Sequence, residues 1–274
     1  MTFPPIRKYP RTRHIEGSQL QAGDGDLGAA VAFVELAGKP LTVEEKIDGA
    51  NCAVSFDDHG ELLLQSRGHY LIGGVREKHF NLFKQWAVTH SQAFHETLGS
   101  CYVMYGEWVY AKHTIFYDAL PHYFLEFDVL DRETDVFLDT PSRRRLLAKL
   151  PVVSVPVICR KTFRSHKELT SLVGDSQFIR EGHITRMLEY CDAEGIDRDT
   201  AWNETDRSTT MEGLYVKHEE NGRVIDRFKF VRRTFLQTAI DSGTHWLARP
   251  IIPNRLRFAL DMLFMPELPG DDAS

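Results

Sequence analysis

The chain has 274 residues, 42% hydrophobic and 26% charged, with a formal net charge of -6. That length suits one large domain, or a domain with a small appendage, and the acidic balance excludes nucleic-acid binding through the overall field; a polyanion would need a local basic surface. No apolar run approaches the roughly 20 residues of a membrane span, and the opening MTFPPIRKYPRTRH has no signal-peptide core, so a cytoplasmic protein is expected.

In chain order, residues 41–46 (LTVEEK) and 50–56 (ANCAVSF) read as strands, DDHG at 57–60 as a turn, and 61–66 as the next strand. Helical spacing of Phe80, Phe83, Trp86, Ala87, Phe94 and Leu98 predicts a helix over 77–98. Strands return at 101–110 and 122–130. A helix follows at 141–149, with Thr140 as N-cap and Pro141 in its first turn. Residues 152–158 are strand-like, and Ser165 with Glu168 has capping-box spacing for a short helix. Residues 192–210 read as an exposed loop. Two strands at 212–218 and 223–230 flank the turn EENG, and the last forty or so residues look helical before an acidic tail. Many strands succeed one another without a helix between them, which predicts an α+β fold with mostly antiparallel pairing. The boundary is placed at 232, with a catalytic domain over 1–232 and a short helical extension over 233–274. Cys52, Cys101, Cys159 and Cys191 lie far apart, without C-x-x-C spacing, and read as reduced thiols; a structural zinc site is not expected.

The chemistry centres on Glu44-Glu45-Lys46-Ile47-Asp48-Gly49-Ala50-Asn51. A lysine at a strand end beside a glycine turn can project into a cleft while its backbone stays fixed. To attack phosphorus it must be an unprotonated amine, which nearby cations favour and nearby carboxylates oppose. Alone, K-x-D-G equally fits a hairpin lysine salt-bridged to its neighbour. Asp48 either braces the turn or takes part in the chemistry.

The downstream residues decide the matter. The chain resembles the covalent nucleotidyltransferase superfamily of polynucleotide ligases and capping enzymes in six ordered segments. Lys46-Ile47-Asp48-Gly49 resembles the nucleophile motif. Ser66-Arg67-Gly68 resembles the segment whose arginine contacts the ribose and the nucleic-acid end. Tyr105-Gly106-Glu107 resembles the one whose glutamate binds the ribose hydroxyl. Phe127-Asp128-Val129 resembles the one whose ring stacks on the purine. Glu212-Gly213-Leu214-Tyr215-Val216-Lys217 matches E-G-x-x-x-K, whose glutamate helps hold a metal. Arg227-Phe228-Lys229 stands where the family has K-x-K against the α-phosphate; Arg227 keeps the charge but departs from lysine.

The resemblance implies an antiparallel, ATP-grasp-like nucleotidyltransferase fold and a lysyl-AMP intermediate on Lys46. It implies nucleotide contacts from Glu44, Glu45, Asn51, Arg67, Glu107, Phe127, Lys217, Arg227 and Lys229. ATP and magnesium (manganese also serving) would be the cofactors, with Glu212 toward the metal. Only 45 residues follow Lys229. That is short for an OB barrel and points to the ATP-dependent RNA ligase branch, joining 5′-phosphate and 3′-hydroxyl RNA ends in RNA repair, with an end-processing kinase or phosphatase as partner. A DNA ligase, capping-like transfer to another acceptor and a non-catalytic RNA-end binder are the alternatives.

Other readings stay open from the residues alone. Phe127 alternates with Leu125 and Val129, so it could equally be core. A buried Glu107, between Met104 and Trp108, favours function because an unpaired carboxylate is costly. Lys217 and Lys229 also fit solvent-facing strand positions. The arm Lys8-Tyr9-Pro10-Arg11-Thr12-Arg13-His14 is either a phosphate contact or a solvated arm. The triplet Arg143 to Arg145 fits an exposed helix face, and Arg232 with Arg233 would extend the phosphate-binding surface.

Overall fold

A computed structural model describes residues 3–20, 28–235 and 250–258. Two antiparallel-dominated sheets face each other. The first has five strands in the order β1 (Arg13–His14), β11 (Arg223–Val231), β10 (Gly213–Glu220), β2 (Leu41–Lys46) and β9 (Val157–Lys161). The second runs β4 (Leu62–Ser66), β3 (Ala50–Phe56), β5 (Tyr102–Trp108), β6 (Phe124–Asp131) and β7 (Val136–Phe137), with β8 (Val153–Ser154) pairing alongside β6. The α+β class and the antiparallel pairing are as expected.

Strand periodicity sets the layers. On β2 and β10, Leu41, Val43, Leu214 and Val216 point outward into a core with Phe163, Leu169 and Phe228. The alternate residues Thr42, Glu44 and Lys46, together with Gly213, Tyr215 and Lys217, share the inner face by register. In the second sheet Cys52, Val54, Phe56, Met104 and Trp108 pack outward against Phe83, Trp86 and Phe94 of two helices, α1 (Asn81–Thr89) and α2 (Ser91–Leu98). The inner faces meet at an aromatic cluster of Tyr9, Tyr105, Phe127, Phe137 and Tyr215.

The structure revises several sequence-based elements. The helix expected over 77–98 begins as a 3-10 turn over Val75–Phe80 and breaks at His90. Thr89 Oγ1 donates to the Gln85 carbonyl at 2.9 Å, a back-bond that bends helices. Both halves still present one apolar face, so the pattern concealed the break. The strand expected at 152–158 is two: β8 pairs with β6 and β9 with β2, and the chain crosses between sheets at Val155–Pro156. The helix α3 (Thr140–Leu147) is capped by Asp139, which accepts from the Ser142 amide, so Thr140 is its first residue and not its cap. Ser165 caps α4 (His166–Thr170) as expected.

The loop expected over 192–210 instead contains the end of α5 (His183–Glu194) and all of α6 (Arg198–Asn203). His183, Met187 and Cys191 form the buried stripe of α5, a four-residue spacing visible in the sequence. Of the extension expected to be helical, 236–249 and 259–274 lie outside the described residues. Residues 250–258 are extended, bridging Ala111 to Pro253 and Leu120 to Leu256; Pro250 and Pro253 withhold the amides a helix needs. Among the described residues no helix is long and apolar enough to cross a membrane.

Phe83 is fully buried between α1 and the second sheet, with Phe124 stacked at 5.7 Å. Phe83→Ala is expected to lower unfolding free energy by about 3–5 kcal/mol in urea titration. A loss below about 1 kcal/mol would mean that the helical layer is not packed as described.

Candidate active site

Lys46 ends β2, and three neighbours fix the turn after it. The Asp48 carboxylate accepts the amides of Thr114 at 2.7 Å and Ile115 at 2.8 Å, and the Asp48 amide donates to the Tyr117 hydroxyl at 3.0 Å. Asp48 therefore braces the turn. A Cβ at Gly49 would come within 2.7 Å of Val109 Cγ1 and 2.9 Å of the Trp108 carbonyl. Gly49 is required by close approach, not by a left-handed backbone, which refines the reversal read from the sequence. Ile47 is buried. Only Lys46 projects into the cleft, where Nζ donates to Glu212 Oε2 at 2.7 Å. The Lys46 side chain is 21% exposed and Glu212 1%.

Glu107 comes from the facing sheet, opposite Asn51 in the β3–β5 register. Asn51 Oδ1 is buried without a hydrogen-bond partner among the described residues, so a polar acceptor stands ready in the cleft. Burial pushes the Glu107 carboxyl up to about 8; Lys46 and Arg67 pull it down, while Glu212 and Asp48 add to the rise. Burial likewise lifts Glu212 to about 7, against the pull of Lys46 and Lys229. For Lys46, burial favours the neutral amine, but Glu212, Glu107 and Asp48 outweigh it and raise its pKa. The resting lysine is an ammonium held by carboxylates.

The facing carboxyls at the mouth also suit a divalent cation. Glu212 and Glu107 are hard oxygen donors. No cluster of three metal-ligating side chains occurs among the described residues. A magnesium or manganese ion here would complete its shell with phosphate oxygens and water, the usual habit of magnesium.

Deeper in the cleft lies a second charged group. Arg143 of α3 is completely buried and pairs with Glu44 of β2 and Glu126 of β6, joining the two sheets. Lys217 is equally buried. Its ammonium lies 2.9 Å from Glu44 and 3.1 Å from Asp128, and it donates to the Phe127 carbonyl. The Arg227 guanidinium is 3.5 Å from Asp128, 3.9 Å from the Phe137 ring centroid and 5.4 Å from that of Tyr9.

The sequence-derived set therefore divides. Lys46, Glu107, Glu212, Arg67 and Lys229 interact at the mouth, with Asn51 beside Glu107. Glu44, Lys217 and Arg227, expected against the nucleotide, are engaged in the ion network below it. Lys217 is no solvent-facing strand lysine. Glu45 points to the opposite face of β2, where burial raises its carboxyl to about 7 against a hydrogen bond from Ser176. Phe127 is the bulged residue of β6: Tyr105 pairs with Asp128 and Gly106 with Glu126, leaving Phe127 unpaired and re-aimed. Its ring meets Tyr9 edge-on at 5.0 Å and lies 6.3 Å from Tyr215.

Sequence reasoning gave no role to Tyr9, Asp128, Arg143 or Tyr215. Tyr9 is buried, and its hydroxyl reaches Asp128 at 2.5 Å and the Tyr215 hydroxyl at 2.6 Å, so this residue is neither solvated nor a phosphate contact, while Lys8, Pro10 and Arg11 of the arm are exposed. Arg144 and Arg145 are exposed but Arg143 is not. Arg232 is also buried, pinned to Asp206 at 2.7 Å and the Met211 carbonyl at 2.9 Å, which removes it from the expected phosphate surface. The only sequence signal for Arg143 was its four-residue spacing from Leu147 on the buried face of α3.

The sequence profile of the RNA ligase family matches residues 39–231, a span that holds all six motif segments. The chain belongs to the RNA ligase family. No curated protein sequence matches the chain. Solved structures of Naegleria gruberi RNA ligase share its fold. A mutant with ATP and Mn has a TM-score of 0.52 and 15% identity, over 84% of this chain and 58% of that one. The form with PPi has a TM-score of 0.52 and 16% identity, over 86% and 58%. A mutant with AMP and Mn has a TM-score of 0.52 and 15% identity, over 84% and 57%. This RNA ligase family member thus spans somewhat over half the length of those structures.

The Glu107 carboxyl is raised on folding from an ordinary 4.5 to about 8. The native state therefore holds its proton more tightly, and the stability this contributes at low pH is lost as pH rises through that window. Glu107→Gln is expected to raise the melting temperature of the metal-free protein more at pH 8 than at pH 5. An equal gain at both would contradict the raised carboxyl.

Proposed function

We propose that this chain is an ATP-dependent RNA ligase acting through Lys46. The observation that carries the reading is the Lys46–Glu212 pair at 2.7 Å, facing Glu107 within a buried cleft of an RNA ligase family chain. In the first step the Lys46 amine attacks the α-phosphorus of ATP; a P–N bond forms and the bond to pyrophosphate breaks. A 5′-phosphate oxygen of the RNA then attacks the same phosphorus, forming a 5′–5′ pyrophosphate and releasing the lysine. Finally the 3′-hydroxyl of the other end attacks the RNA 5′-phosphate and AMP leaves. Splitting the transfer this way replaces one high barrier with lower ones.

Lys46 enters as an ammonium and must first lose a proton. Glu212, in hydrogen-bond contact with the ammonium, is positioned to accept that proton. Glu107 binds the ribose hydroxyl, and the re-aimed Phe127 stacks on the purine. Lys229 neutralises α-phosphate charge, and Arg67, at the exposed end of β4, serves the nucleotide and the RNA end. Asn51 offers its unpaired oxygen to the nucleotide. Bound magnesium or manganese would neutralise triphosphate charge, held through Glu212. We assign residues 1–232 to the adenylyltransferase unit and 233–274 to a C-terminal extension. Sealing requires 5′-phosphate and 3′-hydroxyl ends, so a kinase or phosphatase that prepares ends in RNA repair is the natural partner. Four free cysteines, two of them buried, suit the reducing cytoplasm.

Incubation with α-labelled ATP and magnesium, after stripping with pyrophosphate, is expected to label the denatured chain, and Lys46→Ala to abolish the label. No label from wild-type protein with either metal would overturn the reading, and label from GTP alone would indicate capping chemistry. Parallel RNA and DNA nicks then decide the substrate. Arg67→Ala is expected to slow sealing at least tenfold more than self-labelling, about 1.4 kcal/mol of added barrier; equal losses would remove its role at the RNA end.

A further inference from the structure

Tyr117 links the Lys46 turn to a second charged surface. Its hydroxyl accepts the Asp48 amide, while its carbonyl accepts the Arg255 amide at 2.9 Å. The next residue, Asp118, is completely buried and organises two arginines. Its Oδ1 accepts the Arg180 amide at 2.8 Å, and its Oδ2 accepts Arg186 Nε at 2.7 Å with Arg180 Nε at 3.4 Å. The guanidinium groups stay at the surface, with side chains 53% and 30% exposed. Arg255 Nη2 donates to the Arg186 carbonyl at 3.2 Å, and the guanidinium of exposed Arg257 makes, among the described residues, a 3.5 Å bond to the Gln177 carbonyl. Four arginines from two chain segments thus share one face, against buried Asp118 and exposed Glu181. Phe258, 66% exposed, follows Arg257.

The chain as a whole is acidic, so this excess of cations is local. Guanidinium forks hold phosphate oxygens bidentately, and groups already fixed by a buried carboxylate lose less freedom on binding. The face is separated from Lys46 by Tyr117 and the braced turn, which sets it apart from the nucleotide triphosphate. A polymer whose end lies at Lys46 can span both. The exposed Phe258 ring, the next residue after Arg257, is available to an unpaired base.

We infer that Arg180, Arg186, Arg255 and Arg257 bind the phosphodiester backbone of a single-stranded RNA segment leading to the Lys46 cleft. The inference rests on the proposed ligase reading for its direction, but binding can be measured without ligation. Anisotropy of a labelled, 5′-phosphorylated single-stranded RNA would be titrated at several salt concentrations with wild-type protein, Arg257→Ala and Arg180→Gln/Arg257→Ala. The double variant is expected to bind about tenfold more weakly at low salt, and its slope of log affinity against log salt to fall by roughly 1.4, about 0.7 per lost contact. Self-labelling with ATP should be unchanged. Arg257→Ala, which breaks one long bond among the described residues, should lose about half of that slope, which guards against misfolding of the double variant.

Unchanged affinity and slope in both variants, or no RNA binding by wild-type protein, would overturn the inference. So would polyglutamate competing as well as RNA at equal charge, which would make this a protein-docking face. Loss of RNA binding in the variants alongside a wild type that never self-labels would leave the surface standing and sink the ligase reading instead.

Discussion

The cleft depends on Arg143 and Lys217, two cations buried between the sheets. Arg143 ties β2 to β6, and Lys217 ties β10 and β2 to β6. Ion pairs this deep are weak sources of stability, because desolvation offsets most of the attraction. Their geometry is demanding, however, and losing one partner costs about 3–5 kcal/mol. An apolar layer of equal volume could hold the sheets together yet let them slide. The ion network sets their spacing and register. Glu44, two residues before Lys46 on the same face, is fixed by both cations, and the bulged Phe127 is fixed through its carbonyl. The lysine and the ring are thus placed by the same pair of charges.

The cleft is electrically graded along its length. At the deep end every carboxylate has cations against it. Burial raises Asp128's pKa, but Lys217, Arg227 and Arg143 outweigh it, and the net shift is down; for Glu44 burial wins despite Lys217 and Arg143, and the net shift is up. At the mouth, Glu107 and Glu212 face Lys46, Arg67 and Lys229, and burial lifts these two carboxyls to about 8 and about 7. An ion-paired frame beneath a mouth with raised carboxyls suits pre-organised chemistry: the groups proposed to exchange protons and meet a ligand are not the ones that hold the walls.

The inner-face residues were legible to the extent that strand parity governs them. Glu44 and Lys46 two apart, and Gly213, Tyr215 and Lys217 in the same phase, could be read from spacing. Depth along the cleft could not. Whether Lys217 meets a phosphate or Asp128 depends on the β10–β2 register and on a bulge in β6, neither of which spacing encodes. Arg143 reaches Glu44 across 99 residues of sequence, so its charge looked like an ordinary helix face. The helix break at His90 and the sheet change at Pro156 were hidden because both halves kept one apolar pattern. Spacing placed these cations on the inner face; which carboxylate each one meets needed the fold.

The N-terminal arm has a consequence for the order in which the molecule folds. Arg13 pairs with Asp226 across 213 residues, and β1 lies parallel to β11. Strand β1 therefore gains its ladder partner only with β11, the last of the described strands. Contacts of such separation form late, after the loops between them have closed. The Tyr9 ring, which lines the aromatic cluster beside Phe127, arrives with them. The aromatic wall beside Phe127 is thus closed by a residue 119 positions away from its Asp128 partner.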